Sequence, residues 1–357
     1  KVFRRPARGG EDVLVYEEAD DGLFLGVHLT SDRKFLLITA ENREVSEVLA
    51  IPSDDPTAEP RVVEPRHDDR RYAIDHWTDR WVIRTNADGA QDFKLMVSTA
   101  DLPAKATWTP LVDHRPGRLI AGFSLYAGHL VRLERENAID RLVVMDRAGP
   151  EHMIDFAEEA YALSLDDGYE YETTLTRFVY QSPTTPRQWF DYDLASRQRT
   201  LRKTQEIPSG HDPARYETRR LYATAPDGEQ VPITVLMLKG QKLDGSAPLL
   251  LYGYGAYGFP QEPTFSIRSL SLVNRGWIWA NAHVRGGSDK GWGWFLDGRK
   301  FAKMNTFTDF IACAEHLVAQ GYGQAGRIAA YGGSAGGMLM GAVANMAPDL
   351  FLGIIAE

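Results

Sequence analysis

Apolar strand centres recur along the first half of the chain at Leu37-Ile38, Val82-Ile83, Leu130-Val131 and Val179-Tyr180, a step of 45 to 49 residues. Nothing else in the sequence restricts the fold so tightly. Each centre is followed by a polar turn and a second alternating run: Glu47 to Ile51, Phe93 to Val97, Arg141 to Met145 and Gln188 to Tyr192. Alternation with period two is the mark of antiparallel strands. Turns such as Ala87-Asp88-Gly89 and Asp166-Asp167-Gly168 supply residues that tolerate left-handed backbone. A period in the high forties, rich in Tyr, Trp, Val and Leu and without helical spacing, predicts one four-stranded propeller blade per repeat and about four blades in all. A stacked β-sandwich is the alternative, but it would not require so regular a period. The residues before Val13 read as the tail of an earlier blade, so further blades are expected upstream.

The turn-rich stretch Glu206 to Pro213 suits a domain boundary, and it divides the chain into 1–210 and 211–357. His211, inside it, reads as a linker histidine. Beyond it the pattern changes. Arg219 to Ala225 and Val231 to Leu238 alternate across the hairpin signal Pro226-Asp227-Gly228-Glu229. Pro248 to Tyr252 and Trp277 to Val284 are continuous apolar runs, as expected of buried parallel strands. Asn305-Thr306 are expected to cap a helix that runs to about Ala319 and stops at Gly321. Strands alternating with helices predict a mostly parallel α/β sheet.

Within this half, Ile328 to Tyr331 read as a buried strand and Met338 to Met346 as a helix, with Gly332-Gly333-Ser334-Ala335-Gly336 between them. This fits G-x-S-x-G, and the strand carrying it is expected near the centre of the sheet. A strand that turns at once into a helix strains the residue at its apex, and the neighbours must lack side chains for the chain to pack so closely. Ser334 would then present an exposed hydroxyl, while the Ala335 N–H and the positive end of the helix face the same point. A Gly-rich phosphate loop is the competing reading. Loops at the carboxyl ends of such strands gather at one site, which brings Gly253-Tyr254-Gly255-Ala256-Tyr257-Gly258 toward Ser334. The Tyr254 phenol is either an oxyanion donor or a packed aromatic.

The runs Pro248-Leu-Leu-Leu-Tyr-Gly-Tyr-Gly-Ala-Tyr-Gly258, Asn274-Arg-Gly-Trp277, His283-Val-Arg-Gly-Gly287 and Gly332-Gly-Ser-Ala-Gly-Gly-Met-Leu-Met-Gly-Ala-Val343 resemble the catalytic domain of the prolyl oligopeptidase family of serine peptidases, and within it the oligopeptidase B group. The resemblance covers 248–357 closely and implies an α/β-hydrolase domain, incomplete here, joined to a β-propeller. It implies Ser334 as nucleophile, with the Tyr254 hydroxyl and the Ala335 amide as oxyanion hole. It also implies short peptide substrates, cut after Arg or Lys, with Glu262 helping to bind the basic side chain. Two positions depart from the pattern. Thr264 stands where a second acid would be, and Asp289 replaces the usual Glu after Arg-Gly-Gly.

In this fold the triad runs Ser, Asp, His along the chain, yet no histidine follows Ser334 and the one aspartate, Asp349, reads as a turn after the elbow helix. His283 and His316 precede the nucleophile and read as structural. The chain also stops at Ile354-Ile-Ala-Glu, part way into a further strand, so the expectation is a portion of a longer enzyme. Two other readings remain: an esterase or acyl-peptide hydrolase on the same scaffold, and a propeller binding protein whose hydrolase half is inactive.

The net charge of −9 belongs to the N-terminal part: residues 215–357 carry 13 basic against 11 acidic residues, the remainder 27 against 38. This argues against a nucleic-acid partner and mildly favours cationic ligands. No run of eighteen apolar residues suggests a membrane span. No metal cluster or nucleotide loop is evident, and no cofactor is expected. Cys313 is the one cysteine and reads as core filling. No secretory leader is visible, and a cytoplasmic location is expected, although the chain begins with Lys1.

Overall fold

The computed structural model describes residues 1–357 except Asp167 and Tyr169, so the predicted turn at Asp166-Asp167-Gly168 lies in part outside the described residues. The chain opens with an antiparallel pair, β1 (Val2–Arg4) and β2 (Val13–Tyr16). Four antiparallel four-stranded sheets follow, each pairing its strands in chain order. The first holds β3 (Phe24–Leu29), β4 (Phe35–Glu41), β5 (Ser46–Pro52) and β6 (Arg61–Glu64). The second holds β7 (Tyr72–Trp77), β8 (Arg80–Thr85), β9 (Lys94–Ser98) and β10 (Thr109–Val112). The third holds β11 (Arg118–Tyr126), β12 (His129–Glu136), β13 (Ile139–Asp146) and β14 (Glu151–Ile154). The fourth holds β15 (Ala162–Leu165), β16 (Leu175–Gln181), β17 (Gln188–Asp193) and β18 (Arg199–Thr204). These are four propeller blades.

The strand centres read from the sequence all fall in the second strand of a blade, and the following runs in the third. The cause is burial. Second and third strands are flanked on both sides, and Leu37, Ile38, Val82, Ile83, Leu130 and Val131 are fully buried. An outermost strand has one free edge, and β18 is exposed along its whole length. Blades then pack face to face. Leu37, Val48 and Val63 of the first meet Tyr72, Ile74 and Ile83 of the second, and Val131, Leu142 and Ile154 of the third meet Leu163 and Phe178 of the fourth.

Polar ties repeat at the same level of neighbouring blades. In the turn after β3, the Ser31 N–H and hydroxyl donate to Asp75 of β7 at 2.8 and 2.5 Å, and Asp32 lies 2.5 Å from His76 Nδ1. One blade on, the Trp77 indole donates to the Tyr126 carbonyl at 2.7 Å, and the Tyr126 hydroxyl donates to Thr176 at 2.8 Å. Each blade is thereby keyed to the next by buried hydrogen bonds, which cost more to break than the same bonds in water.

The second half is one six-stranded sheet. Its elements are β19 (Tyr216–Thr224), β20 (Gln230–Leu238), β21 (Leu249–Gly253), α1 (Ile267–Val273), β22 (Ile278–Ala282), α2 (Trp292–Leu296), α3 (Met304–Ala319), β23 (Ile328–Gly332), α4 (Ala335–Met346) and β24 (Phe351–Ala356). The spatial order is β19-β20-β22-β21-β23-β24. The last four are parallel and the β19–β20 hairpin is antiparallel. The sheet is therefore mostly parallel, as predicted, and among the described residues the elbow strand β23 lies between β21 and β24. Residues such as Leu249, Leu251, Ala280 and Ile328 pack one face against Phe310, Leu317, Leu339 and Val343 of α3 and α4.

Helix α3 ends as expected, with Gly321 at φ 77°, but its start differs. A 3₁₀ turn, 300–302, precedes it, and the capping position is Lys303 without a side-chain cap. Asn305 instead donates to the Asp297 carbonyl at 2.9 Å, and Thr306 to the Arg285 and Gly298 carbonyls at 2.7 and 3.2 Å. Both side chains are drawn off to hold the loop that follows β22. His211 sits in the connection between β18 and β19, with Nε2 2.6 Å from the Thr184 carbonyl and its ring stacked on Tyr216. No helix is long and apolar enough to cross a membrane.

The Asp75 tie gives a pH-dependent prediction. Burial pushes its carboxyl up to about 6, against which the Ser31 and His76 donors act only in part. A carboxyl raised on folding favours the folded state below its unfolded value and loses that contribution as pH rises through about 6, on the order of 2–3 kcal/mol by pH 7. Asp75→Asn keeps the acceptor for the two backbone donors and presents an amide to the Ser31 hydroxyl. The variant should match the wild type in thermal denaturation near pH 4 and melt several degrees higher near pH 7.5; equal melting at both values would refute the assignment.

Candidate active site at the elbow of β23 and α4

Ser334 occupies φ 53°, ψ −120°, outside the regions open to ordinary residues. Holding a non-glycine residue there costs on the order of 1–3 kcal/mol. The strain is imposed by close packing. A Cβ on Gly332 would lie 2.5 Å from the Gly336 carbonyl oxygen, and one on Gly336 would lie 2.8 Å from the Gly253 carbonyl oxygen. Neither contact can be relieved without moving backbone. Ser334 is exposed as a result, and the twelve-residue α4 begins at the next residue. Its own N–H is directed away, donating to the Glu357 carbonyl at 2.6 Å, while the Tyr331 hydroxyl donates to the Glu357 carboxylate at 2.7 Å.

The loop after β21 lies directly against this turn. The same probe Cβ on Gly336 would be 3.5 Å from the Tyr254 Cα and 3.6 Å from its ring. Tyr254 is half-buried, and its ring meets Phe259 with centroids 6.3 Å apart. The loop is held by the next one. Gly255 has φ 67°, and a Cβ on Gly286 would fall 1.9 Å from the Gly255 carbonyl oxygen. The Gly258 N–H donates to the Gly286 carbonyl at 2.9 Å, and Lys303 Nζ donates to the Gly255 carbonyl. Arg285 anchors the pair. Its Nε and Nη2 donate to the two Asp309 oxygens at 2.9 and 2.6 Å, its backbone N–H to Asp309 at 2.9 Å, and its Nη1 to Asp227 of the hairpin at 2.5 Å.

Ser334, Ala335 and Tyr254 thus come together, whereas Glu262 is drawn elsewhere. One of its oxygens accepts from Arg135 of β12 at 2.8 Å. Burial and the nearby Asp140 charge raise its carboxyl, against the pull of Arg135. Asp289, the departure from the expected Glu, accepts from His283 Nδ1 at 2.8 Å and from the Gln261 N–H at 2.9 Å. His283 is fully buried, its other nitrogen is 2.7 Å from the Thr234 hydroxyl, and burial lowers its pKa, with Arg220 adding to the effect. It is a neutral structural residue. Cys313 is fully buried, and its thiol is pushed up by burial, as expected of core filling.

Between the blades and the elbow lies a cleft of about 470 Å³. Ala335 and Met338 of α4 line it, with Ala256 and Tyr257 of the loop after β21 on one side and Asn42, Arg43 and Glu44 of the β4–β5 turn on the other. Arg299, Lys300 and Lys303 complete it. Glu44 pairs with both Arg299 and Lys300, at 2.9 and 2.8 Å. Lys303 faces no carboxylate among the described residues, and burial lowers it to about 8. These cations did not emerge from the sequence. The run Arg299-Lys300-Phe301-Ala302-Lys303 was the available signal, since it places three basic residues between the Arg-Gly-Gly loop and the predicted helix.

Known proteins share this arrangement. Residues 8–205 match the prolyl oligopeptidase N-terminal β-propeller domain, and residues 263–357 match the prolyl oligopeptidase family domain. Dipeptidyl aminopeptidase BI of Pseudoxanthomonas mexicana is 41% identical over 98% of this chain and 48% of its own length. Protease 2 of Moraxella lacunata is 35% identical over 96% and 49%. Among solved structures, oligopeptidase B from Trypanosoma brucei with covalently bound antipain superposes with a TM-score of 0.92 at 34% identity, covering 99% of this chain and 52% of that one. Oligopeptidase B from Leishmania major gives 0.90, also at 34% identity, over 97% and 50%. The chain spans about half the length of the curated relatives it matches. With the propeller-domain match over 8–205 and the family-domain match over 263–357, in that order along the chain, the chain belongs to the prolyl oligopeptidase family.

Proposed function

We propose that the full-length protein is a serine endopeptidase of short peptides, cutting after Arg or Lys, in which the propeller of residues 1–210 covers the hydrolase sheet of 211–357. The observation that carries this reading is the juxtaposition of an exposed, strained Ser334 with the start of α4 and the Tyr254 loop, beside a cleft that Ala335 and Tyr257 line.

In the proposed reaction Ser334 Oγ attacks the scissile carbonyl and gives its proton to a general base. The carbonyl oxygen takes up negative charge and meets the Ala335 N–H and the Tyr254 hydroxyl. Collapse releases the amine and leaves an acyl group on Ser334, which water then hydrolyses. None of the described histidines hydrogen-bonds to Ser334, and we place the base and its acid partner outside residues 1–357. Preference for Arg or Lys rests on Glu262, which keeps one oxygen unpaired with Arg135 and remains 38% exposed, and on the likeness to oligopeptidase B. The 41% identity to a dipeptidyl aminopeptidase supports a second reading, in which substrates are trimmed from a free N-terminus.

Three outcomes check this. A fluorophosphonate probe should label the full-length protein at Ser334, and Ser334→Ala should abolish labelling; an unlabelled, folded wild type would remove the peptidase reading. Tyr254→Phe should lower kcat by about 10²- to 10³-fold, the usual loss for one oxyanion donor, with KM little changed; an unchanged kcat would return Tyr254 to a packing role. Turnover of N-blocked peptides ending in Arg, Lys or Pro fluorophores, set beside the same peptides with free N-termini, separates endopeptidase from dipeptidyl-aminopeptidase action. Faster cleavage after Pro than after Arg would rule out the basic preference.

A further inference from the structure

The cleft beside Ser334 carries a charge pattern that the proposed preference for basic side chains does not use. Four cations line it, Arg43, Arg299, Lys300 and Lys303, and they face one carboxylate, Glu44. Glu44 is already shared between Arg299 and Lys300 through a single oxygen. Arg43 has no acidic partner among the described residues; its guanidinium lies over the Phe259 ring, 4.6 Å from the centroid. Lys303 donates one of its three protons to the Gly255 carbonyl and keeps two. These two cations come from opposite sides of the cleft, one on the β4–β5 turn of the first blade and one at the start of α3.

Lys303 is half-buried without a counter-charge, which is costly to maintain unless something neutralises it, and Arg43 stands exposed on the opposite wall. Exposed aromatic and apolar side chains accompany these cations: Tyr257 is 56% exposed, Met338 53% and Phe259 47%. An apolar wall with a few converging polar groups is the usual make-up of a ligand pocket, and the volume falls within the ordinary range of about 300–1,000 Å³.

We propose that Lys303 and Arg43 together bind a carboxylate of the peptide, so that the cleft selects substrates carrying a negative group close to the bond cut at Ser334. The inference rests on the reading that peptides enter this cleft. A carboxylate can accept from both cations at once, and charge-assisted hydrogen bonds of this kind are shorter and stronger than neutral ones. Because the cations share the cleft with Ala335, the group they hold is near the reacting carbonyl. Two sources share the chemistry: the free C-terminal carboxylate of a short peptide, or an Asp or Glu side chain within a longer one. The first would favour short peptides over long chains.

The test uses the full-length protein with Ser334→Ala to prevent turnover, and pentapeptides of Ala, Leu and Phe carrying a neutral N-terminal 2-aminobenzoyl fluorophore. Fluorescence anisotropy gives Kd for the free acid, for the C-terminal amide, and for an amide with one internal Asp. The free acid should bind about tenfold or more tightly than the amide. Recovery of tight binding by the Asp-containing amide would assign the site to a side-chain carboxylate, and failure to recover it to the terminus. Lys303→Met should bring the acid to the affinity of the amide. Because Lys303 also supports the Gly255 loop, Arg43→Gln on the propeller surface serves as a second variant and should do the same with unchanged melting. Equal affinity of all three peptides would overturn the carboxylate site while leaving the peptidase reading intact. Binding of none would overturn it together with peptide entry to this cleft, whereas the nucleophile is judged separately by fluorophosphonate labelling.

Discussion

The ion pair between Arg285 and Asp309 is the constraint on which the site geometry rests. Both side chains are almost fully removed from water, at 4% and 0% exposure, so neither charge is tolerable without the other. Removing one partner of such a pair typically costs about 3–5 kcal/mol. Its structural effect exceeds its net energy. Asp309 lies one turn inside α3, and through it the backbone after β22 is fixed to that helix. Thr306, on the same helix, donates its hydroxyl proton to the Arg285 carbonyl. With Arg285 pinned at both ends, Gly286 is pressed against Gly255, where no side chain could fit. The Tyr254 loop has no regular structure of its own and takes its position from this stack. The elbow glycine Gly336 closes it from the other side.

Much of this was legible in the sequence, because the features that matter are steric and local. Glycine at 332 and 336 around Ser334 can be read as a strained turn, and the structure shows what those glycines avoid. The propeller was legible for a different reason. Doubly flanked strands are buried or half-buried over most of their length, so the apolar centres of the second and third strands of each blade stand out at a fixed spacing, whereas the edge strand β18 is exposed throughout and carries little pattern. What was not legible depended on partners far away in the chain. Asn305 and Thr306 look like helix caps, and only the presence of the Asp297 and Arg285 carbonyls shows why they do not act as such. Glu262 looks like an unpaired acid, and its Arg135 partner lies 127 residues earlier. The cleft cations are the extreme case. Arg43 and Lys303 are unremarkable until the first blade is folded over α3.

The two halves are joined unequally around this cleft. Toward the second and third blades the contact is a shared core. Trp292 and Phe295 of α2 pack with Trp77, Phe93, Leu119 and Leu130. The same corner is pinned by Asp92, which accepts from the Trp292 N–H at 2.5 Å and from the Gly117 N–H at 2.6 Å. Trp292 and Phe295 each remove a large apolar area from water, and a fully buried side chain of this kind contributes on the order of 1.5–3 kcal/mol. Further around, Ala138 donates to the Asp289 carbonyl and Arg135 holds Glu262.

At the first blade the contact is of another kind. Glu44 reaches Arg299 and Lys300 with 40% of its side chain exposed, and Lys300 is 65% exposed. Exposed pairs of this sort contribute about 0–1 kcal/mol and weaken with salt. Separating the halves at the first blade therefore costs far less than separating them at α2. If the domains part, the physics favours rotation about the α2 corner with the Glu44 edge opening first. That edge carries Arg43, so opening would move one cation of the cleft away from Lys303 and closing would bring them back together. A ligand bridging the two would bind the closed arrangement better than the open one, which is the only way a ligand can shift such an equilibrium.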